Sequence, residues 1–249
     1  MGDPLRLYGL KALVTSAGGG IGEAISRTLV KHGARVLAVD TTNSGVEQHY
    51  KRVKGIEGHS ANLADAGRIP ALVEEAGEKL GGIDILVNDF PPHVDAPLSD
   101  GDAKLDSILQ ARADLVSAIC RSALPRLKKS PSGRIITMGF LRSVFSADGS
   151  AAYARAEQDL AALTRALAAK IGASGITANY VQPGAVMTPA SREVFRKNKE
   201  LRDYCIARSA AKRLGEPVDV AKVVLFLASD DAVFVSGTGI RVDGGHSDA

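Results

Sequence analysis

A glycine-rich stretch near the N-terminus is the part of the sequence best suited to hold phosphate groups. It reads Thr15-Ser16-Ala17-Gly18-Gly19-Gly20-Ile21-Gly22, between a short apolar run and a segment with helical spacing. Glycines let the main chain turn tightly, and a following helix offers free N–H groups and its positive dipole end to an anion. The turn predicts a pyrophosphate site with contacts from Ser16, Gly18, Gly20, Ile21 and Gly22. A strand–helix turn without a ligand is the alternative.

Asp40 lies 20 residues after Gly20, at the end of a second apolar run. A carboxylate there can accept hydrogen bonds from both ribose hydroxyls of NAD and would repel the 2′-phosphate of NADP. Thr41 and Thr42 follow and carry no positive charge for that phosphate. We therefore expect NAD as the cofactor, with NADP disfavoured.

Short β-rich runs that alternate with longer helical patterns must position these residues. Such alternation is typical of an α/β protein, and we predict a doubly wound Rossmann fold with a mainly parallel seven-stranded sheet and helices on both faces. We find no linker and expect one domain over residues 1–249. The predicted strands are Lys11–Thr15, Arg35–Asp40, His59–Leu63, Ile83–Asn88, Arg134–Met138, Thr177–Gln182 and Thr238–Val242, and the later helices lie near 66–80, 104–128, 149–172 and 217–228.

Composition excludes several classes of protein. The net charge of +3 is too small to indicate nucleic-acid binding, and no apolar run reaches the ~20 residues of a membrane span. Cys120 and Cys205 form no metal-binding spacing, so we predict free thiols and no metal site. No secretory signal is evident at the N-terminus, and we expect a cytoplasmic protein.

Motifs in a fixed order along the chain resemble the short-chain dehydrogenase/reductase family. The glycine-rich turn is similar to its TGxxxGxG pattern, with Ser16 at the second position, and NDFP at 88–91 stands where the family has NNAG. Tyr153 stands at the position of the catalytic tyrosine. The resemblance implies a hydride transfer between a nicotinamide cofactor and an alcohol or carbonyl substrate. It assigns further cofactor contacts to Asn62, Asn88, Tyr153, Pro183, Gly184 and Thr188.

Three positions depart from the catalytic pattern of that family. Glu157 stands where YxxxK has lysine, Phe140 where serine is expected, and Arg112 at the aligned asparagine position. Residues 153 and 157 share one helix face, so an ionised Glu157 would disfavour the phenolate of Tyr153. Glu157 could instead accept ribose hydroxyl groups or pair with Arg112, and two unrelated surface charges are the alternative.

Two further side chains are candidates for the catalytic centre. Ser143 is the hydroxyl group that best replaces the missing serine, and a polar loop residue is the alternative. His93 follows the fourth strand, where it could exchange protons, and an ordinary surface histidine is the favoured alternative. The predicted catalytic set is Tyr153, Glu157, Ser143 and Arg112.

The segment 188–213 is predicted to cover the substrate. It is rich in arginine and lysine, which allows an anionic small-molecule substrate, while a solvated amphipathic helix is the alternative. Phe195, Leu201, Tyr204 and Ile206 would provide its apolar contacts. The family pairs its long helices across a two-fold axis, so we expect a homo-oligomer, a dimer or homotetramer. The apolar positions that predict this are Leu115, Ile119, Ala123, Leu160, Leu163 and Leu167.

The predicted function is an NAD(P)-dependent oxidoreductase of the short-chain dehydrogenase type with altered or weak catalysis. A dinucleotide-binding protein without dehydrogenase activity is the second hypothesis. A non-redox enzyme on the same scaffold ranks third, because the halohydrin dehalogenases that resemble this family lose the glycine-rich turn that this chain keeps.

Overall fold

The computed structural model describes residues 6–91, 103–139 and 151–246. Seven strands form one sheet in the order β3-β2-β1-β4-β5-β6-β7, and every neighbouring pair is parallel. The predicted fold class is therefore confirmed. The strands are β1 (Lys11–Thr15), β2 (Arg35–Asp40), β3 (Ile56–Ser60), β4 (Ile85–Asn88), β5 (Arg134–Met138), β6 (Thr177–Pro183) and β7 (Gly239–Val242).

Eight α-helices are described between and after these strands. They are α1 (Gly20–Lys31), α2 (Val46–Tyr50), α3 (Ile69–Leu80), α4 (Ala103–Leu127), α5 (Ala151–Ile171), α6 (Pro189–Lys197), α7 (Lys199–Arg208) and α8 (Pro217–Ala228). Among the described residues, no helix combines the length and apolar character needed to cross a bilayer.

Two apolar clusters cover the two faces of the sheet. One packs α1 and α8 against it, with Ile25, Leu29 and Val224 fully buried, and the other packs α3, α4 and α5. Strands buried on both faces read as continuous apolar runs, which is why β1, β2 and β4 are recognisable in the sequence. The order of the strands reverses between β1 and β4, and ligands bind at such a reversal in open α/β sheets.

One sequence prediction about the elements is wrong. The third strand is Ile56–Ser60 rather than His59–Leu63, and it pairs with β2 from Val36 to Asp40. The segment 188–213 contains two helices, because Asn198 ends α6 and its side chain caps α7 by accepting from Leu201 N at 2.9 Å.

Candidate functional site: the cleft at the carboxyl edge of the sheet

The glycine-rich turn joins β1 to α1 and is shaped by close main-chain contacts. A Cβ atom on Gly22 would lie 2.2 Å from the Ser16 carbonyl oxygen, so only glycine fits there. Gly20 has a φ of 57° and Ser16 a φ of 51°, the left-handed region in which glycine is usual. The main-chain conformation of Ser16 is therefore strained, at a position where the family pattern has glycine.

The N-terminus of α1 fits the phosphate groups of a dinucleotide. Within the described part of the chain no side chain caps this helix, and its N-cap residue is Gly19. The first main-chain N–H groups of α1 thus point out of the turn with the positive end of the helix dipole. Ile21 is half-buried in the first turn and packs against the core below.

Asp40 closes the turn on the side of β2. Its carboxylate accepts from Gly18 N at 2.6 Å and from Thr41 N at 2.6 Å. Tyr50 of α2 supports the same turn from below, because its buried hydroxyl group donates to the Ala17 carbonyl at 2.6 Å. Burial raises the pKa of Tyr50 to about 12, so its hydroxyl group remains a proton donor at any physiological pH.

The other predicted cofactor residues occupy the same edge of the sheet. Asn62 is exposed just beyond β3, and its side chain accepts from Ala64 N at 3.0 Å. Pro183 ends β6, and Gly184 N bonds to Val242 at 3.0 Å. Thr188 caps α6, and its Cβ atom would lie 3.4 Å from a Cβ atom added to Gly20. The turn and the start of α6 are therefore close neighbours at this edge of the sheet.

Asn88 lies inside the sheet and is fully buried. Its Nδ2 donates to Thr137 Oγ1 at 3.1 Å on β5 and lies 3.8 Å from the sulfur of Cys120. Its Oδ1 is buried and has no hydrogen-bond partner among the residues described. Burial raises the pKa of Cys120 to about 12, and both Cys120 and Cys205 are free thiols, as predicted.

Tyr153 and Glu157 both lie in the first two turns of α5. The Tyr153 ring is buried against Leu105 and Leu109 of α4, and Glu157 is half-buried one turn later with one carboxylate oxygen inaccessible to solvent. The shared helix face predicted from their spacing is thus compatible with α5 as observed. Ser143, Phe140 and His93 lie outside the described residues.

Arg112 of α4 reaches the tip of β5. It is buried, donates to the Met138 carbonyl at the end of β5, and interacts electrostatically with Asp89 just after β4. Desolvation lowers the pKa of the Arg112 guanidinium, and the charge of Asp89 partly offsets this. The pairing of Arg112 with Glu157 stays a prediction, and the charge of Asp89 near Arg112 was not predicted from the sequence. The available signal was an aspartate in NDFP where the family pattern has asparagine.

Asp89 is also joined to the glycine-rich turn through its main chain. Thr15 Oγ1 and Ser16 Oγ each donate to the Asp89 carbonyl at 2.8 Å, and Asp89 N donates to Thr15 Oγ1 at 2.8 Å. The neighbouring Phe90 ring is buried in the core cluster on the α3–α4 face of the sheet. The bulk of Phe90 is therefore accommodated by the core.

The segment 188–213 carries many charges that are paired within it. Glu193 forms ion pairs with Arg196 at 2.8 Å and Lys197 at 3.2 Å, and Arg202 pairs with Asp203 at 2.7 Å. Phe195 is buried as predicted, whereas Tyr204 is 42% exposed and does not serve as an apolar anchor. The Arg208 guanidinium lies 5.7 Å from the centre of the Tyr204 ring instead.

Comparison with known proteins shows the family to which this chain belongs. Residues 16–247 match the family model described as Enoyl-(Acyl carrier protein) reductase. The 3-oxoacyl-[acyl-carrier-protein] reductase FabG of Escherichia coli is 32% identical over 244 residues, covering 97% of this chain and 98% of that protein. The Oxidoreductase UcpA of Salmonella typhimurium is 32% identical over 256 residues, covering 96% and 95%. The chain belongs to the short-chain dehydrogenase/reductase family.

A solved structure shows the same relationship. It is described as a putative NAD(P) dependent gluconate 5-dehydrogenase from Beutenbergia cavernae with bound NADP at low occupancy. It is 32% identical to this short-chain dehydrogenase/reductase, covers 98% of both chains and superposes with a TM-score of 0.84. The family resemblance predicted from the motifs is thereby confirmed, and the cleft corresponds to that of NAD(P)-dependent oxidoreductases.

Proposed function

We propose that the protein is an NAD(P)-dependent oxidoreductase that interconverts an alcohol and a carbonyl group on a small molecule. The observation that carries the proposal is the glycine-rich turn, which has an uncapped helix N-terminus on one side and the Asp40 carboxylate on the other. The bound nicotinamide would supply the hydride acceptor or donor. The chain itself would hold the phosphates at α1, the ribose at Asp40 and the carboxamide near Thr188.

We further propose that NAD binds more tightly than NADP. Asp40 is held at the turn by Gly18 N and Thr41 N, so its negative charge has a fixed position where a 2′-phosphate would add a second one. The Beutenbergia cavernae protein was found with NADP, so cofactor choice is a property to measure for this chain directly.

The test measures dissociation constants of NADH and NADPH for the native protein and for Asp40→Ala. We expect the native protein to bind NADH more tightly than NADPH, and we expect this difference in affinity to be smaller for Asp40→Ala. Asp65→Ala is the matched control, because Asp65 is exposed and caps the short turn before α3. Tighter binding of NADPH by the native protein would refute the assignment, and no binding of either cofactor would refute the oxidoreductase proposal.

For the proton transfer we propose Tyr153, with altered support from Glu157, Arg112 and Ser143. A carboxylate one turn after a tyrosine disfavours its phenolate, so we expect slow turnover near neutral pH. The assay follows NADH with a panel of small alcohols and ketones. Abolition by Tyr153→Phe supports the assignment, whereas brisk turnover that survives this change would transfer the role to another group.

A dinucleotide-binding protein without dehydrogenase activity is the second candidate. It is favoured by the glutamate at position 157 and by an Arg112 that is already engaged by Met138 and Asp89. Inactivity of both the native protein and a Phe140→Ser/Glu157→Lys variant, with NADH still bound, would support this candidate.

We also propose that two copies associate through α4 and α5. Leu115, Ile119, Ala123 and Leu160 are buried within one chain, so these four predicted contact residues are not available for a partner. A groove of about 550 Å³ between α4 and α5 remains, and Leu109, Ala113, Ala156 and Leu163 are among the residues that line it. Light scattering should show a dimer or larger assembly that Ala113→Arg weakens, while Ala162→Arg outside the groove has no effect.

We also propose an anionic substrate and a cytoplasmic location for the protein. An anionic substrate would depend on cations of the 188–213 segment such as Arg192 and Lys199, both exposed, because ion pairs engage Arg196, Lys197 and Arg202. We regard residues 1–249 as one functional unit, with 188–213 covering the substrate. A reducing, cytoplasmic setting agrees with the two free, buried cysteines.

A further inference from the structure

A buried tyrosine hydroxyl group lies beneath the glycine-rich turn and takes no part in the proposed chemistry. The Tyr50 side chain is 1% exposed and belongs to the core cluster that packs α1 against the sheet. Its hydroxyl group donates to the Ala17 carbonyl oxygen at 2.6 Å. Because buried polar groups need hydrogen-bond partners, this bond fixes the direction in which the Ala17 carbonyl points.

The peptide group between Ala17 and Gly18 carries this constraint to the other side of the turn. It is trans, so its carbonyl and its N–H group point in opposite directions. Because the carbonyl accepts from Tyr50, the N–H group of Gly18 points the other way, and there it donates to an Asp40 carboxylate oxygen at 2.6 Å. Ala17 N also donates to the Val39 carbonyl at 3.1 Å, which holds the preceding peptide against β2. One peptide group therefore connects the Tyr50 hydroxyl to the Asp40 carboxylate.

The Asp40 carboxylate can still bind a ligand while it is held in this way. Its Oδ2 accepts from Gly18 N and its Oδ1 accepts from Thr41 N, which uses one bond on each oxygen. An ionised carboxylate has about four acceptor sites, so each oxygen can accept one more bond. A ribose 2′-hydroxyl group can donate to such a site, whereas a 2′-phosphate would bring a second negative charge to it. The direction of these remaining sites depends on the main chain that holds the carboxylate.

Helix α2, which carries Tyr50, is held on two sides. A Cβ atom on Gly58 of β3 would lie 2.3 Å from the Val46 carbonyl oxygen, so α2 packs closely against that strand. On the side of α1, His49 Nε2 lies 2.9 Å from Glu23 Oε1. These two contacts fix the Tyr50 hydroxyl group relative to the glycine-rich turn.

We propose that Tyr50 is a positioning residue that orients the Asp40 carboxylate for cofactor selection. It acts through the peptide group between Ala17 and Gly18 and, being buried, does not touch the cofactor itself. This role rests on the proposed function, because it takes the cofactor ribose as the ligand of Asp40. Without the Tyr50 hydroxyl group the Ala17 carbonyl is free to rotate, and the bond from Gly18 N to the carboxylate is lost. Discrimination between NAD and NADP should then decline.

The test measures the dissociation constants of NADH and NADPH for the native protein and for Tyr50→Phe. We expect the variant to lower the ratio of the NADPH constant to the NADH constant about fivefold, chiefly by weakening NADH, as the loss of one hydrogen bond implies. Thr164→Val is the matched control, because it removes a buried hydroxyl group of α5 that donates to the Leu160 carbonyl at 2.8 Å on the other face of the sheet. The control should leave the ratio unchanged. Equal weakening of both cofactors by Tyr50→Phe, or no change in either, would overturn the inference.

A second measurement determines whether Tyr50 acts through Asp40. The carboxylate is absent from Asp40→Ala, so adding Tyr50→Phe to that variant should leave the ratio of the two constants unchanged. A further decline of similar size in the double variant would overturn the proposed route. Failure of this inference leaves cofactor binding by the native protein intact, whereas native protein that binds neither cofactor would overturn the proposed function together with the role of Tyr50.

Discussion

Replacing Asp89 by asparagine should change how the stability of the protein depends on pH. The folded state raises the pKa of this carboxyl group from 3.8 to about 6, chiefly because burial disfavours the charged form. The folded protein therefore binds more protons than the unfolded chain between these two values. Its stability is fully present below about pH 4 and declines as the pH rises through about 6, because the buried carboxyl group must ionise.

The size of the effect follows from the shift. Each pKa unit corresponds to 1.36 kcal/mol, so a shift of about two units makes ionisation of Asp89 cost about 3 kcal/mol of folding free energy. Asparagine has nearly the same shape and no charge to lose. The free energy of unfolding of Asp89→Asn, minus that of the native protein, should therefore increase by up to about 3 kcal/mol between about pH 4 and pH 7.5.

Urea unfolding of both proteins at a series of pH values measures this difference, in which the other titrating groups cancel. Asp219→Asn provides a control. Hydrogen bonds from Arg213 and from Glu216 N lower the pKa of Asp219, so its contribution to stability is complete above about pH 4, and the difference between that variant and the native protein should stay constant as the pH rises to about 7.5. A difference between Asp89→Asn and native protein that stays constant over this range would refute the reasoning.

Three further predictions concern the glycine-rich turn. Gly22→Ala places a Cβ atom 2.2 Å from the Ser16 carbonyl oxygen and should cost about 1–3 kcal/mol in urea unfolding, and an unchanged midpoint would contradict the described turn. Ser16→Gly relieves the positive φ whereas Ser16→Ala keeps it, so the glycine variant should be the more stable by about 1–2 kcal/mol in the same assay. Tyr50→Phe removes the bond to the Ala17 carbonyl and should cost about 1 kcal/mol and weaken NADH binding, while unchanged binding would show that this support is dispensable.

The parts of the fold that the sequence predicts well are those where burial alone dictates residue type. Strands β1, β2 and β5 are buried on both faces and read as continuous apolar runs, which left little freedom in placing them. The edge strand β3 has only Ile56 fully buried, and its Gly58 lies against the main chain of α2. A strand of this kind shows almost no regular pattern of apolar residues. The sequence therefore predicts it too far toward the C-terminus.

The candidate site was predictable where its residues are neighbours along the chain. Glycines in a turn and a carboxylate at a strand end have a local meaning, so Gly22 and Asp40 could be identified directly. The partner of Arg112 depends on which strand tip α4 passes over, and spacing along the sequence does not contain that information. The pairing of Arg112 with Glu157 stays a prediction, and the sheet order adds the charge of Asp89 to the surroundings of the same guanidinium.

The crossing between β1 and β4 also bears on how the protein is made. The proposed cofactor site combines residues from Ser16 to Thr188, so a chain leaving the ribosome lacks a complete site until Thr188, which follows β6, has been synthesised. A ligand stabilises only the conformations that bind it. NADH should therefore protect the finished protein from proteolysis and leave partly synthesised chains unprotected, so that early folding depends on the apolar contacts of β1, β2 and α1 alone.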